Sequence, residues 1–418
     1  MKATLLHTEL VAPLQELSIQ EQFEALLKTA LAEGYPVAAW RLPGEQYPSL
    51  LIDLSGTTRL VNPDLEQLPA GFLAAPYKTD LAAADAEENP QCHFLKADLY
   101  WNGAEESFSL ADSLSEKQKQ NATLILEKAP EQLQASQPAY PTAEVQLTET
   151  SMEQYLSLVQ DSVAAIKRGE FQKNVCARTK LVDLPEAFRL EKFFKALSSG
   201  YPNAFVSVVA APQIGTWVGA TPEILISVDK QQRFKTVALA GTQPKQPGMS
   251  PVDAVWRQKE IEEQALVSRY IINCLKKIRV REFDEIGPRT IAAANLLHLR
   301  TDYIIDLREV NYPNLPTVML QLLHPTSAVC GLPKEPAAAF LEEHERLDRR
   351  FFAGFLGPVN LQGETHLFVN LRCMQLLEEK ALLYAGAGIT ADSVPEREWQ
   401  ETEHKCFTLL EVLQQAQV

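Results

Sequence analysis

Paired cysteines are missing from this chain. Its six cysteines (Cys92, Cys176, Cys274, Cys330, Cys373 and Cys406) are scattered, with no C-x-x-C spacing among them. That excludes a zinc ribbon or a disulfide framework and reads as buried thiols of a reducing compartment. Long apolar runs are lacking too, and none reaches the ~18 residues of a membrane span. The opening MKATLLHTELVAPLQEL carries no secretory apolar core with a small-residue cleavage site, so the expected location is cytoplasmic. Positive charge is scarce: 39 Lys and Arg face 54 Asp and Glu, for a net charge of −15. This deficit argues against nucleic acid and anionic membranes as partners. A small anionic substrate stays open, because surface charge is screened over about 8 Å and a local cluster of cations in a cleft overrides it.

What is present points to a globular chain with ordinary proportions, 46% hydrophobic and 22% charged over 418 residues. Residues 1–128 alternate short apolar segments (AAWRL, SLLIDL, HFLKADLYW) with turn-like breaks. The stretch Ala129–Val145, rich in Pro, Gln, Ser and Ala, reads as a connector or an exposed loop with a seam nearby. A helix is expected after Ser151 as N-cap, ending near Gly169. Strand-like runs follow: NVCARTKLV, AFVSVVAA, TWVGATP, ILISVD, FKTVALAG, HLFVNLRCMQL and KALLYAGAGI. Between them three long helices are expected over Arg189–Ser199, Val252–Arg279 and Pro395–Gln415. Strands and helices do not alternate regularly. The fold class expected is therefore α+β, with large, mainly antiparallel sheets packed together and helices on the outside.

Two glutamate pairs stand out, Glu260/Glu263 and Glu398/Glu401, each at i,i+3 on a predicted helix and so on one face. Winding WRQKEIEEQALVSRYIINCLKKI places the first pair over Val267, Tyr270, Ile271 and Cys274. Carboxylates above an apolar face should be buried or half-buried, and a hard divalent cation is one counter-charge that would serve them. A solvated acidic patch is the plainer alternative. Lys173 opens a strand near Arg168 and Arg178. It is either a solvent lysine or, if buried, a candidate base, since base work needs the neutral amine. Glu223 leaves a Gly-Ala-Thr-Pro turn as either a cap or a catalytic acid, and Gly241 and Thr242 offer donors at a similar exit. His298 and His324 are lone histidines without metal-like spacing. Gly386-x-Gly388-x-x-Ala391 carries the letters of a dinucleotide-binding loop, but the next helix starts only at Pro395. That context does not match such a loop, and the exposed backbone N–H groups suit a carboxylate better.

The order and spacing of nine blocks are more specific than any one of them. KNVCART, GATPEIL, ALAGT, KEIEEQALV, LLHLRT, HPTSAVCGLP, DRRFFAGFLGPV, VNLRC and YAGAGITADSVPEREWQETEHK run from about Glu149 onwards. In this set the chain resembles the chorismate-utilising enzymes, which include anthranilate, aminodeoxychorismate, isochorismate and salicylate synthases. The resemblance implies a chorismate-binding catalytic domain over 146–418, with 1–145 co-folding in the same unit, and a monomer or weak homodimer. It implies a cleft between antiparallel sheets in which one Mg²⁺ ties a ring carboxylate to the protein. By position, Glu263 and Glu401 correspond to direct metal ligands, and Glu260 and Glu398 to their water-mediated partners. Arg372, Tyr384, the Gly386 backbone and Lys405 correspond to holders of the substrate's second carboxylate, with His298, Gly241 and Thr242 as further contacts.

Within that family, the position that carries a nucleophilic lysine in aminodeoxychorismate synthases is Ala240 here. Lys173 stands where water-adding members have lysine and ammonia-using members tend not to. The resemblance therefore implies an isochorismate synthase, with Lys173 deprotonating a water that attacks ring C2 and Glu223 protonating the departing C4 hydroxyl. Ala328-Val329, small and apolar after HPT, points to a reaction that stops at isochorismate rather than continuing to salicylate. Some positions depart from the family pattern: Gln264 replaces a usual histidine, Glu260 a common aspartate, Arg350 a usual glycine, and GFLGP a YAGP form. An ammonia-using synthase, a salicylate synthase and a non-catalytic chorismate-binding protein remain as alternatives. The last has no need of both an acid and a base.

Overall fold

The β-branched and aromatic runs assemble into two antiparallel sheets, one of eleven strands and one of nine. The computed structural model describes residues 4–5, 8–81, 91–135, 139–142, 149–245, 248–293 and 296–415. Part of the connector expected over Ala129–Val145, namely residues 136–138 and 143–145, lies outside them, as does position 146 at the expected boundary. Strands from the first 110 residues enter both sheets. Val37–Arg41 pairs with Phe205–Ala211 in the larger sheet, and Gly71–Ala75 pairs with Phe355–Val359 in the smaller. At the other side of the larger sheet, Lys173–Asp183 pairs with Lys380–Ile389 over ten residue pairs.

The central strands are buried without alternation because both of their faces are covered. In Phe205–Ala211, Phe205, Val209 and Ala211 join the core between the sheets, while Val206, Val208 and Ala210 join the core beneath the helices. The two sheets meet face to face where Phe205 stacks on Phe368, with centroids 4.0 Å apart and planes 6° from parallel. Truncating either ring to alanine would cost about 3–5 kcal/mol. No helix of the described residues is long and apolar enough to cross a membrane.

The helices follow their end signals. Ser151 caps Met152–Lys167 by accepting from Gln154 N at 3.2 Å, and Gly169 follows the helix end at φ +82°. The second helix is Leu190–Gly200, one residue along from its expected span. The third begins later than the periodicity of Val252–Arg279 suggests. Pro251–Asp253 forms one 3₁₀ turn, the backbone is extended at Ala254 and Arg257, and the helix runs Gln258–Lys277. Trp256 leaves the helical line to donate its indole N–H to Thr290 Oγ1 at 2.9 Å. The fourth helix spans Pro395–Gln415, as expected.

One expected strand proves to be two. HLFVNLRCMQL divides into Thr365–Val369 in the nine-stranded sheet and Cys373–Leu376 in the eleven-stranded sheet. The chain crosses between sheets at Asn370–Arg372, where Arg372 takes φ +47°. The pair Asp284–Ala293 and Leu296–Asp306 was not among the expected strands. It adds the outer edge of the smaller sheet beside Arg233–Pro244.

Candidate active site

A cleft of about 760 Å³, open solvent included, lies where the ends of the two sheets meet the Gln258 and Pro395 helices. Its lining takes in Glu223, Gly241, Thr242, Glu263, His298, Ala328, Arg372, Tyr384, Gly386, Glu401 and Lys405. Eleven residues singled out in the sequence thus share one cavity. Lys173 stands just behind the wall: it is 1% exposed, and its Nζ lies 2.8 Å from Glu263 Oε1. Glu260 and Glu398 do not line the cleft.

The Lys173–Asp183 strand explains much of this placement. Alternate residues face opposite ways. Lys173 and Val175 face the cleft side, whereas Cys176 and Arg178 face the helices. Arg178 is buried under the Pro395 helix, donating to Thr402 Oγ1 at 2.6 Å and ion-paired with Glu403, with its guanidinium 3.8 Å over the Trp399 ring. The strand beside it carries Gly388, where a Cβ would lie 2.9 Å from Glu263 Oε1 and 3.1 Å from Lys173 Cε. A side chain there would crowd the ion pair, and one of its two flexible ends would have to shift. Gly388 belongs to the strand Lys380–Ile389, and no helix begins there, which rules out the dinucleotide-loop reading.

Gly241 interrupts the pairing of Arg233–Pro244 with Leu296–Asp306 as a bulge, at φ +68°. A side chain there would press on Glu260, whose Cβ and carbonyl oxygen lie 3.1 Å from where a Cβ would stand. The bulge lets the first turn of the Gln258 helix approach the sheet. Gln264 then fastens it: Ala240 N donates to Gln264 Oε1 at 3.0 Å, and Nε2 donates to Ala238 O and Thr301 Oγ1. Arg349, which the sequence reading did not single out, also lines the cleft and ties its wall together. It donates to the carbonyls of Val329 and Val175 and forms a two-bond ion pair with Glu345. The available signal was an arginine pair set in the apolar run DRRFFAGF. Its neighbour Arg350, in the family's glycine position, sits at φ +48°, the backbone region that favours glycine.

Arg372 and Lys405 both line the cleft, as do Tyr384 and His298, each of which has a buried polar atom without a hydrogen-bond partner (Oη and Nε2). Burial, aided by Arg372 and Lys405, pushes the His298 imidazole down to about 3, so it is neutral at ordinary pH. Burial pushes Glu223 up to about 7, against the pull of Lys173, Lys405 and Arg372. Glu263 behaves in the opposite way: burial would raise it, but Lys173, with Lys405 and Lys259, outweighs burial and holds it below its ordinary value. The cleft thus pairs a carboxyl able to give a proton near neutrality with a buried amine.

The four predicted metal carboxylates are not gathered into a cage. Among the described residues no group of three or more His, Cys, Asp or Glu stands ready around one point. Glu263 is paired with Lys173, Glu401 with Lys405 at 2.7 Å and Glu398 with Lys259 at 3.0 Å. Glu260 accepts the Arg257 N–H at 3.0 Å and so caps its own helix. The donor set still fits a hard divalent cation, because Glu263 and Glu401 both open on the cleft and carboxylate oxygens with water complete such a shell.

These features are those of an enzyme that acts on a small molecule. The profile of the family described as chorismate binding enzyme matches residues 81–414, and the chain belongs to that family. Isochorismate synthase DhbC of Bacillus subtilis is 31% identical over 278 residues, covering 62% of this chain and 68% of that protein. Isochorismate synthase MenF of Escherichia coli is 25% identical over 409 residues, covering 95% and 92%. The solved structure of MenF, the menaquinone-specific isochorismate synthase from Escherichia coli, superposes with a TM-score of 0.73 at 22% identity, covering 95% of this chain and 93% of that one. Anthranilate synthase component I from Streptococcus pneumoniae shares the fold at a TM-score of 0.64 and 19% identity, covering 90% of each chain.

Proposed function

We propose that this enzyme is an isochorismate synthase, converting chorismate to isochorismate by adding water at C2 with loss of the C4 hydroxyl. The observation that carries the reading is the buried amine of Lys173 just behind the wall of the cleft that Glu223 lines, with the Glu223 carboxyl pushed up to about 7. Its relatives DhbC and MenF bear the same activity in their names. As the base, Lys173 takes a proton from water as that water attacks C2. The ring double bond shifts and the C4–O bond breaks, while Glu223 gives its proton to the leaving hydroxyl. The Lys173–Glu263 pair must open for the amine to reach a water in the cleft.

Arg372 and Lys405 are the charges for the substrate's side-chain carboxylate, with the Gly386 backbone in the same lining and Tyr384 Oη as a buried atom that a ligand would satisfy. His298, Gly241 and Thr242 flank the ring, and neutral His298 serves as a hydrogen-bond partner rather than a charge. Glu263 and Glu401 would hold Mg²⁺, with Glu260 and Glu398 acting through water. Bound there, the ion would supply a Lewis acid for the ring carboxylate. The small walls at Ala328 and Val329 support a reaction that ends at isochorismate rather than salicylate. Ala240 in place of a lysine nucleophile speaks against aminodeoxychorismate chemistry. Relatives include enzymes named for menaquinone and for vibriobactin, so the product would feed a menaquinone or a siderophore route. All six cysteines are free and buried, which suits a cytoplasmic protein.

The deciding experiment is incubation of purified protein with chorismate and Mg²⁺, with product separation and an EDTA control. Isochorismate alone is the expected product. Salicylate with pyruvate would move the assignment to salicylate synthase, and product only with ammonia would remove the role of Lys173.

A further inference from the structure

Three lysines pair with three of the four carboxylates on the Gln258 and Pro395 helices, and only two of those lysines have work in the proposed reaction. Lys173 is the base and Lys405 faces the cleft. Lys259 does neither: it is absent from the cleft lining and 38% exposed along its side chain, and it reaches from the first turn of one helix to Glu398 on the other, 3.0 Å away. Glu398 itself is buried, its side chain 3% exposed, so this ammonium is the counter-charge it holds. Without Lys259, two helices with like-charged first turns would face each other across a half-buried gap.

We propose that Lys259 is a positioning residue for the metal site: an internal counter-ion that joins the two carboxylate helices before a divalent cation arrives and holds that cation's affinity down. The inference rests on the Mg²⁺ reading above. A dication entering this cluster meets the repulsion of an ammonium already pairing with one of its carboxylates. The dianionic substrate brings negative charge that offsets that repulsion, so the metal binds more tightly beside the substrate than alone. Removing one unit charge from a partly solvated site corresponds to about tenfold in cation affinity.

The sign of the effect separates this role from a merely structural one, because damage to the fold weakens a metal site and loss of a counter-ion tightens it. Mg²⁺ binding is measured by calorimetry on the full chain, and melting temperature is measured in EDTA and in Mg²⁺. In Lys259→Met, which keeps an apolar stem, Mg²⁺ should bind about tenfold tighter than in the wild type. Its melting temperature in EDTA should fall, and the rise on adding Mg²⁺ should exceed that of the wild type. Lys259→Arg should behave as wild type. Lys259→Gln gives the same comparison if the methionine variant does not fold. Wild-type binding with equal or weaker affinity in the variants overturns the inference alone. A wild type that binds no Mg²⁺ overturns it together with the metal assignment.

Discussion

Lys173 Nζ and Glu263 Oε1 lie 2.8 Å apart beneath Gly388, in the space a side chain at that glycine would fill. A methyl group there must displace one partner. Gly388→Ala is expected to lower kcat at least tenfold, since small misplacements of a reacting group are costly. The loss of melting temperature should be modest, because the displaced atoms are ends of flexible side chains. Steady-state kinetics beside a thermal melt check this, and unchanged kcat would show that the ion pair has no bearing on turnover.

Lys173→Ala should remove turnover by ~10²–10⁴-fold, the range for loss of a general base. Mg²⁺-dependent binding of chorismate should be largely retained, as followed by calorimetry. Loss of binding in a folded variant would make Lys173 a substrate contact instead.

Glu401→Gln removes a charge that faces both the cleft and Lys405. The Mg²⁺ concentration for half-maximal rate should rise at least tenfold, a change of about 1.4 kcal/mol. A superimposable Mg²⁺ titration would end the ligand assignment.

The pH dependence follows from Glu223. Its protonated form is the acid, so kcat should decline as pH rises through about 7. Because the folded value is raised above the unfolded one, the stabilising contribution of neutral Glu223 is full below the ordinary carboxylate value and lost as pH rises through about 7. Glu223→Gln should remove that alkaline loss of stability while abolishing turnover. A variant with the wild-type stability profile would show that Glu223 does not titrate there.

Gln264 makes three buried hydrogen bonds to the sheet. Gln264→Ala should destabilise by about 2–4 kcal/mol, because it leaves the Ala240 N–H and other buried groups unpaired. Denaturant unfolding measures it. A loss below about 0.5 kcal/mol would mean that water replaces the amide.

The charged part of the site was legible because its residues lie in segments of clear period. The i,i+3 glutamates could be placed on helix faces, and the strand-to-turn exits at Glu223 and Gly241 were visible from Gly, Thr and Pro. The nine ordered blocks supplied the family, which no single motif could. Several features had no local signal. The crossing at Asn370–Arg372 depends on which sheet each half of an unbroken apolar run joins, a tertiary choice. The late start of the Gln258 helix reflects a contact from Trp256 to Thr290, far off in sequence. Asp284–Ala293 escaped notice because it is an edge strand exposed over much of its length, with little apolar alternation to reveal it. The role of Arg349 depends on carbonyls from two other segments. The pairing of Glu263, Glu398 and Glu401 with lysines, which leaves no assembled cage among the described residues, was equally out of reach of spacing arguments.

The Lys173–Asp183 strand shows the amine to the cleft and the Arg178 guanidinium to the Pro395 helix, which bears Glu398, Glu401 and Lys405. It is therefore a spacer of fixed count. Inserting or deleting one residue between Lys173 and Arg178 would reverse the facing of everything on one side of the change. The amine would then point at the helix, or the guanidinium into the cleft. Substitutions can accumulate along this strand, but its length between those two positions cannot drift.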